Sequence, residues 1–119
     1  MQTIPTTADA LLAGRSTALA VALRCAGAAF VVVGSTAARL RGGGVSPRDL
    51  DVVVTTEGIR ALSMALDRMG VRHNAAAFRR VTPVRLTTAW CPLDVFVSRD
   101  LPPTQARTVD GCVLVVSDE

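Results

Sequence analysis

The chain contains no lysine, so all 13 of its basic residues are arginine. This absence excludes functions that need a lysine amine, such as Schiff-base catalysis or phosphate binding by a Walker A loop. Tyrosine is also absent, and aromatic residues make up only 3% of the chain, so the core has to be built from alanine, valine and leucine. No apolar run reaches the ~18 residues needed to cross a bilayer, and we expect no association with a membrane.

Cysteine and histidine are too few and too scattered to form a zinc site. Cys25, Cys91 and Cys112 lie far apart without C-x-x-C spacing, and His73 is the single histidine. Cysteines that are odd in number and flanked by apolar residues are typical of buried free thiols in a reducing cytoplasm, which is the location we predict. His73 lies in a polar stretch and is predicted to be a surface residue.

The 119 residues are half apolar and 19% charged, which predicts one folded domain over residues 1–119. Helical spacing of leucine and alanine predicts an N-terminal helix over about residues 6–27, weakened near Gly14, followed by a core over 28–118. The remaining patterns predict helices over 35–40 and 56–69 and strands over 30–33, 49–54, 84–88, 93–97 and 112–116, with a short strand within 71–82. The expected fold class is therefore α/β (α+β), with a mixed β-sheet flanked by helices.

Two aspartates at the start of the second strand, Asp49 and Asp51, are the first candidates for chemistry. Side chains at positions i and i+2 of a strand point to the same face, so these carboxylates are expected about 7 Å apart along it. Their mutual repulsion is relieved by a divalent cation, and oxygen ligands favour Mg²⁺ or Mn²⁺. The alternative is an ordinary acidic turn before a strand, because Asp-x-Asp alone is a common pattern.

A third aspartate, Asp94, interrupts the apolar strand predicted over 93–97. An unpaired charge within such a strand is costly, so Asp94 either lies on an exposed face or belongs to a cluster that holds a cation. If its strand neighbours the strand of Asp49 and Asp51, three carboxylates converge in an arrangement suited to metal-dependent phosphoryl or nucleotidyl transfer.

Gly34 and Ser35 follow the first strand directly. Glycine permits a sharp turn and a close approach to a ligand, and the serine hydroxyl and the amides of the next helix are suited to phosphate. A serine that merely caps the helix is the alternative interpretation.

The order of an apolar strand, Gly34-Ser35, Asp49-x-Asp51 and a later strand with Asp94 resembles the nucleotidyltransferase superfamily with the DNA polymerase β-like fold. The similarity spans roughly residues 20–118 and is greatest to small bacterial members, the minimal nucleotidyltransferases and the AbiEii-type toxins. It implies that Asp49, Asp51 and Asp94 are catalytic residues and metal ligands, and that Gly34 and Ser35 bind a nucleoside triphosphate such as ATP. Three arginines lie near enough in sequence to help bind the triphosphate or are solvated surface charges, namely Arg39, Arg41 and Arg48.

The resemblance implies a Mg²⁺-dependent nucleotidyltransferase that moves a nucleoside monophosphate from an NTP to a hydroxyl of RNA, a protein or a small molecule. Most active relatives carry further helices after the last strand that bind the acceptor, and we expect none of them here, because the sequence ends at Glu119. The second hypothesis is therefore a weakly active or inactive nucleotidyltransferase-like subunit that acts as an antitoxin-type module with a partner protein or as a homo-oligomer. A generic α/β domain with incidental aspartates is the third.

Overall fold

The structure is a computed structural model that describes residues 8–119, with side chains from Gly14 onward. Its α-helices are α1 (Ala8–Cys25), α2 (Gly34–Leu40) and α3 (Ile59–Arg68). Its strands are β1 (Val31–Val33), β2 (Leu50–Val54), β3 (Val84–Leu86), β4 (Leu93–Val97), β5 (Thr104–Val109) and β6 (Cys112–Ser117), and two short 3-10 helices span Thr56–Gly58 and Ala75–Arg79. The predicted α/β class with a mixed sheet is confirmed.

The six strands form one sheet in the order β3-β4-β2-β1-β6-β5. The pairs β2–β4 and β1–β6 are parallel, and the pairs β1–β2, β3–β4 and β5–β6 are antiparallel. Because β2 and β4 run the same way, they begin at the same edge of the sheet. Residues that introduce these two strands are therefore brought together in space.

The core lies between one face of the sheet and the helices α1 and α3. Along β2 the side chains alternate: Leu50, Val52 and Val54 are buried, whereas Asp51 and Val53 are only half-buried. The helices contribute the fully buried leucines Leu19, Leu23, Leu62 and Leu66 to the same cluster. The opposite face is more open, since Val113 and Val115 of β6 are exposed there.

The helix α3 follows the predicted pattern closely. Ile59, Leu62 and Leu66 are buried at helical spacing, while Met69 beyond its last turn is half-buried. The preceding 3-10 turn is capped by Thr55, whose hydroxyl accepts a hydrogen bond from the Gly58 amide at 3.2 Å.

The antiparallel hairpin of β5 and β6 is the main element that the sequence patterns did not predict. Only its second strand was expected, while residues 104–109 were left without structure. The turn is formed by Asp110 and Gly111, both with positive φ angles of 50° and 76°. Asp-Gly between two strands favours this tight turn, so the signal was present in the sequence.

Three local predictions need correction. Residues 71–82 contain no strand; they form a 3-10 helix over Ala75–Arg79, begun by the Asn74 side chain, which accepts a hydrogen bond from the Ala76 amide. The first helix runs without interruption through Gly14 to Cys25, and residues 6 and 7 of its predicted span lie outside the described residues. The third predicted strand ends at Leu86, two residues early.

Across residues 8–119, none of the helices combines the length and apolar character that a membrane crossing requires.

Candidate metal centre

Asp51 and Asp94 lie side by side at the beginning of the parallel strands β2 and β4. They are paired directly in the strand register, and Asp49 lies just before β2. One carboxylate oxygen from each of the three residues can be chosen so that all lie within 4.8 Å of one another. The expected neighbourhood of the two aspartate-bearing strands is thus confirmed.

Backbone and side-chain hydrogen bonds fix the position of Asp49. It lies in a bend rather than within the strand, which begins at Leu50 and not at residue 49 as predicted. The buried Thr36 hydroxyl donates a hydrogen bond to the Asp49 carbonyl at 3.0 Å. The Leu50 amide donates to the Pro92 carbonyl at 2.9 Å, which joins the segments that lead into β2 and β4.

Gly34 lies directly against the carboxylate of Asp51. Its φ angle is +67°, and a Cβ atom built at this position would be 2.6 Å from Asp51 Oδ2. Only glycine allows both the left-handed conformation and this approach without displacing the carboxylate. The predicted role of Gly34 in a close turn is therefore supported by its surroundings.

Ser35 does not cap the helix that follows. Val33 occupies the N-cap position of α2, with no side-chain hydrogen bond, and Ser35 is the second helical residue and half-buried. The alternative interpretation of Ser35 as an ordinary capping serine is wrong.

The pKa of Asp51 is raised from its ordinary value of 3.8 to about 6. Burial is the largest cause, followed by the negative charge of Asp49 and by the hydrogen bond and charge of Asp94, while Arg85 opposes the shift. Near neutral pH the ionisation of Asp51 therefore has an electrostatic cost that a nearby cation reduces.

Arg85 of β3 supplies a positive charge to this cluster and was missed by the sequence analysis. Its guanidinium Nη1 donates a hydrogen bond to Asp94 Oδ2 at 2.8 Å and to Asp49 Oδ2 at 3.4 Å. The two carboxylates raise the pKa of Arg85 in turn, with Asp94 as the largest cause. Arg85 is the polar residue in the alternating pattern of β3, and it lies directly opposite Asp94 of β4. The sequence did not show that β3 pairs with β4, so it gave no reason to place Arg85 at the carboxylates.

The three arginines expected near the triphosphate lie outside the cluster. Arg39 and Arg48 are exposed, and within the described residues neither forms an ion pair with the aspartates. Arg41 donates a hydrogen bond to the Ser117 carbonyl at 2.6 Å and so joins α2 to the end of β6. Arg85 is the arginine that the fold places at the carboxylates.

The other histidine, arginine and cysteine side chains considered next do not belong to the carboxylate cluster. The side chain of His73 is 6% exposed, contrary to prediction; its Nε2 pairs with the Ser63 hydroxyl at 2.7 Å and its Nδ1 with the Val71 carbonyl at 3.0 Å. Arg79 and Arg80 line a cavity beside Thr82 and Val97, at the opposite end of β4 from Asp94. Cys25 is exposed, which corrects the prediction of three buried thiols, whereas Cys91 is buried as expected.

The carboxylate cluster fits a divalent cation by its chemistry. It offers three oxygen ligands, no nitrogen or sulfur, and a net negative charge even beside Arg85, a donor set that suits Mg²⁺ or Mn²⁺ better than zinc. Comparisons with protein-family models, curated proteins and solved structures gave no match to this chain.

Proposed function

We propose that the protein is a Mg²⁺-dependent nucleotidyltransferase that moves a nucleoside monophosphate from an NTP to an acceptor hydroxyl. The observation that carries the proposal is the convergence of Asp49, Asp51 and Asp94 within 4.8 Å at the start of two parallel strands, with Gly34 against Asp51. Carboxylates held this closely are suited to share divalent ions. The absence of a side chain at Gly34 lets this turn pack directly against the carboxylate of Asp51.

Asp49, Asp51 and Asp94 would be the metal ligands, with Mn²⁺ as the substitute for Mg²⁺. A bound divalent ion would supply charge stabilisation at the entering and leaving oxygens of an in-line displacement. Asp94 would also accept the proton of the acceptor hydroxyl. The acceptor oxygen then forms a bond to the α-phosphorus, the bond from that phosphorus to the bridging oxygen breaks, and pyrophosphate leaves.

The nucleotide would lie over Gly34 and Ser35, because Gly34 is exposed and packs directly against the carboxylate of Asp51. Arg85 would contact the phosphates, because its side chain is 58% exposed and already directed to this edge of the sheet. An arginine fork binds phosphate oxygens well, so Arg85 can exchange its carboxylate partners for phosphates. Arg39 and Arg48 are left as exposed charges that can attract the triphosphate from solution.

The decisive experiment compares NTPs labelled at the α- or the γ-phosphate, incubated with the protein, Mg²⁺ and a cell lysate. Transfer from the α-labelled NTP alone supports the proposal, because a kinase would transfer the γ-label. Asp51→Asn and Asp94→Asn should each lower transfer by about 100-fold or more, as expected for loss of a group that stabilises the transition state.

The matched control is Asp100→Asn, since Asp100 is an exposed aspartate on a loop after β4 and outside the cluster. Its transfer activity should equal that of the unmodified protein. Transfer of label that survives both Asp51→Asn and Asp94→Asn would overturn the proposal, as would a complete absence of transfer with every NTP.

The ion pairs of Arg85 favour a second candidate function, a nucleotidyltransferase-like subunit that binds nucleotide without turnover and acts with a partner protein or as a homo-oligomer. Arg85 already neutralises part of the cluster, so the fold has a cation of its own at this place. In this case Mg²⁺ and ATP together would raise Tm by ligand binding, while no acceptor is labelled. A cell-lysate partner that co-purifies with the protein would distinguish the subunit from an isolated enzyme.

A further inference from the structure

Two of the three cysteines, Cys25 and Cys112, lie close together beside β6, which is separated from the carboxylate-bearing strands β2 and β4 by β1. Cys25 is the last residue of α1 and Cys112 is the first residue of β6, and the helix packs against that strand. Both side chains line one shallow surface cavity together with Arg24, Asp110 and Gly111. Cys25 is exposed and Cys112 is half-buried, so reagents in solution can reach the pair.

The two thiols are neighbours, and Arg24 places a positive charge beside them. Burial raises the pKa of the Cys112 thiol, the adjoining Cys25 thiol raises it further, and Arg24 opposes the shift. Among the described residues the only group of three or more potential metal ligands is the aspartate cluster, so the thiols have no third ligand for a metal centre. A pair of thiols with access to solvent and no further ligand is suited to oxidation instead.

We propose that Cys25 and Cys112 form a reversible intramolecular disulfide when the protein meets a peroxide. The exposed Cys25 thiol gives up its proton, its sulfur attacks one oxygen of hydrogen peroxide, and the O–O bond breaks. The products are a Cys25 sulfenic acid and a hydroxide ion, which takes up the released proton to form water. The Cys112 thiol likewise gives up its proton, and its sulfur attacks the Cys25 sulfur. The S–O bond of the sulfenic acid breaks, and the oxygen leaves as hydroxide, which takes up that proton to form a second water. Two thiols are oxidised and one peroxide is reduced, so the step is balanced.

The disulfide would join the end of α1 to the β5–β6 hairpin across most of the chain. A cross-link that closes a loop of about 90 residues restricts the unfolded chain strongly and raises stability. Oxidation is therefore expected to raise Tm by about 10 °C, and a thiol reductant should reverse the change.

The test treats the folded protein with hydrogen peroxide at mildly alkaline pH, which favours the thiolate of Cys112. Intact mass should fall by about 2 Da per chain, and alkylation under denaturing conditions should find one free thiol instead of three. Proteolysis should release a single linked pair of peptides that contain Cys25 and Cys112. The variant Cys91→Ser should behave in the same way, because Cys91 is buried at the other end of the sheet beside Asp49.

The variants Cys25→Ser and Cys112→Ser should both fail to lose 2 Da, and neither should gain the rise in Tm. A linkage that includes Cys91, disulfides only between chains, or oxidation of Cys25 to the sulfinic acid with Cys112 still reduced would each overturn the proposal. These readouts do not involve nucleotide transfer, so their outcome is independent of the proposed enzymatic function.

Discussion

The strand pairs β2–β4 and β5–β6 belong to one sheet but place charge very differently. In the parallel interior pair, Asp51 and Asp94 are direct neighbours, and the side chain of Asp94 is 14% exposed. In the antiparallel edge pair, polar residues such as Thr104 and Thr108 are exposed to solvent. A polar residue on the edge hairpin needs no explanation, whereas two carboxylates on interior strands do.

The compensation for that interior charge comes from three sources. Arg85 lies opposite Asp94 on β3, the open face admits solvent, and the pKa of Asp51 is raised to about 6, so protonation of Asp51 removes one negative charge at mildly acidic pH. The edge hairpin has no such arrangement: its one described arginine, Arg107, donates to the Leu40 carbonyl instead. Interior charge held at an electrostatic cost is what motivates a functional interpretation.

The largest expected effect is on stability, and it compares how much side-chain burial on β4 and on β6 contributes to the free energy of unfolding. Leu93→Ala removes a fully buried side chain of β4 and should lower the free energy of unfolding by about 3 kcal/mol. Val113→Ala, on the exposed face of β6, should change it by less than about 0.5 kcal/mol. Urea unfolding followed by circular dichroism measures both values, and similar losses for the two variants would remove the contrast between interior and edge.

Two glycine variants separate backbone strain from a clash at the carboxylates. Gly34 and Gly111 both have positive φ angles, so an alanine at either position should cost about 1–2 kcal/mol of stability. Only Gly34→Ala also places a Cβ atom at 2.6 Å from Asp51 Oδ2, since Gly111 has open space around it. Gly34→Ala should therefore weaken Mn²⁺ binding about 10-fold or more in calorimetric titration, and Gly111→Ala should leave it unchanged.

The interior cluster should also give the metal-free protein a distinct pH dependence. Because the pKa of Asp51 is raised in the folded state, its protonation stabilises the fold fully below pH 3.8, and this stability is lost as the pH rises through about 6. In the presence of EDTA, Tm should fall between pH 4.5 and 7 more steeply than for Asp51→Asn, which cannot ionise. Equal slopes for the two proteins would show that Asp51 ionises at its ordinary pKa.

The smallest effect concerns the exposed cation at the cluster. Arg85→Gln removes a group that competes for Asp94 and Asp49, so Mn²⁺ should bind up to about fivefold more tightly. If Arg85 contacts the phosphates as proposed, ATP binding in the presence of the metal should become weaker. Arg99→Gln, at an exposed arginine on the loop after β4, is the matched control and should alter neither affinity.

Elements with strong local signals could be predicted from the sequence. The periodic leucines of α3, the valine run of β1 and the apolar strand around Asp94 each agree with the structure within one or two residues, apart from the added 3-10 turn before α3. The missed strand β5 is rich in polar residues and lies at an edge, where no buried face imposes a pattern. The 3-10 helix over Ala75–Arg79 is also short and locally ambiguous, so periodicity could not identify it.

In the candidate site, too, some residues could be predicted from the sequence and others could not. Asp49, Asp51, Asp94 and Gly34 were identified from residue type and spacing along the chain. Arg85 was missed because its contact with Asp94, 9 residues further along the chain, depends on how β3 pairs with β4. Neither residue type nor spacing indicates that pairing. His73 was taken for a surface residue because its polar neighbours suggested it, although the 3-10 helix brings Phe78 to stack on its ring at 6.1 Å.

The sequence by itself determined which segments form helices and strands with strong periodicity, and its lack of lysine excludes any site that needs a lysine amine. The strand order was decided only in the tertiary structure, because parallel pairing joins segments that lie more than 40 residues apart. That order placed Asp94 beside Asp51, and it placed Arg85 beside Asp94 and Asp49. The packing of α1 on β6 placed Cys25 beside Cys112. Local propensity acts over a few residues, whereas these contacts depend on which apolar faces pack together in the folded chain.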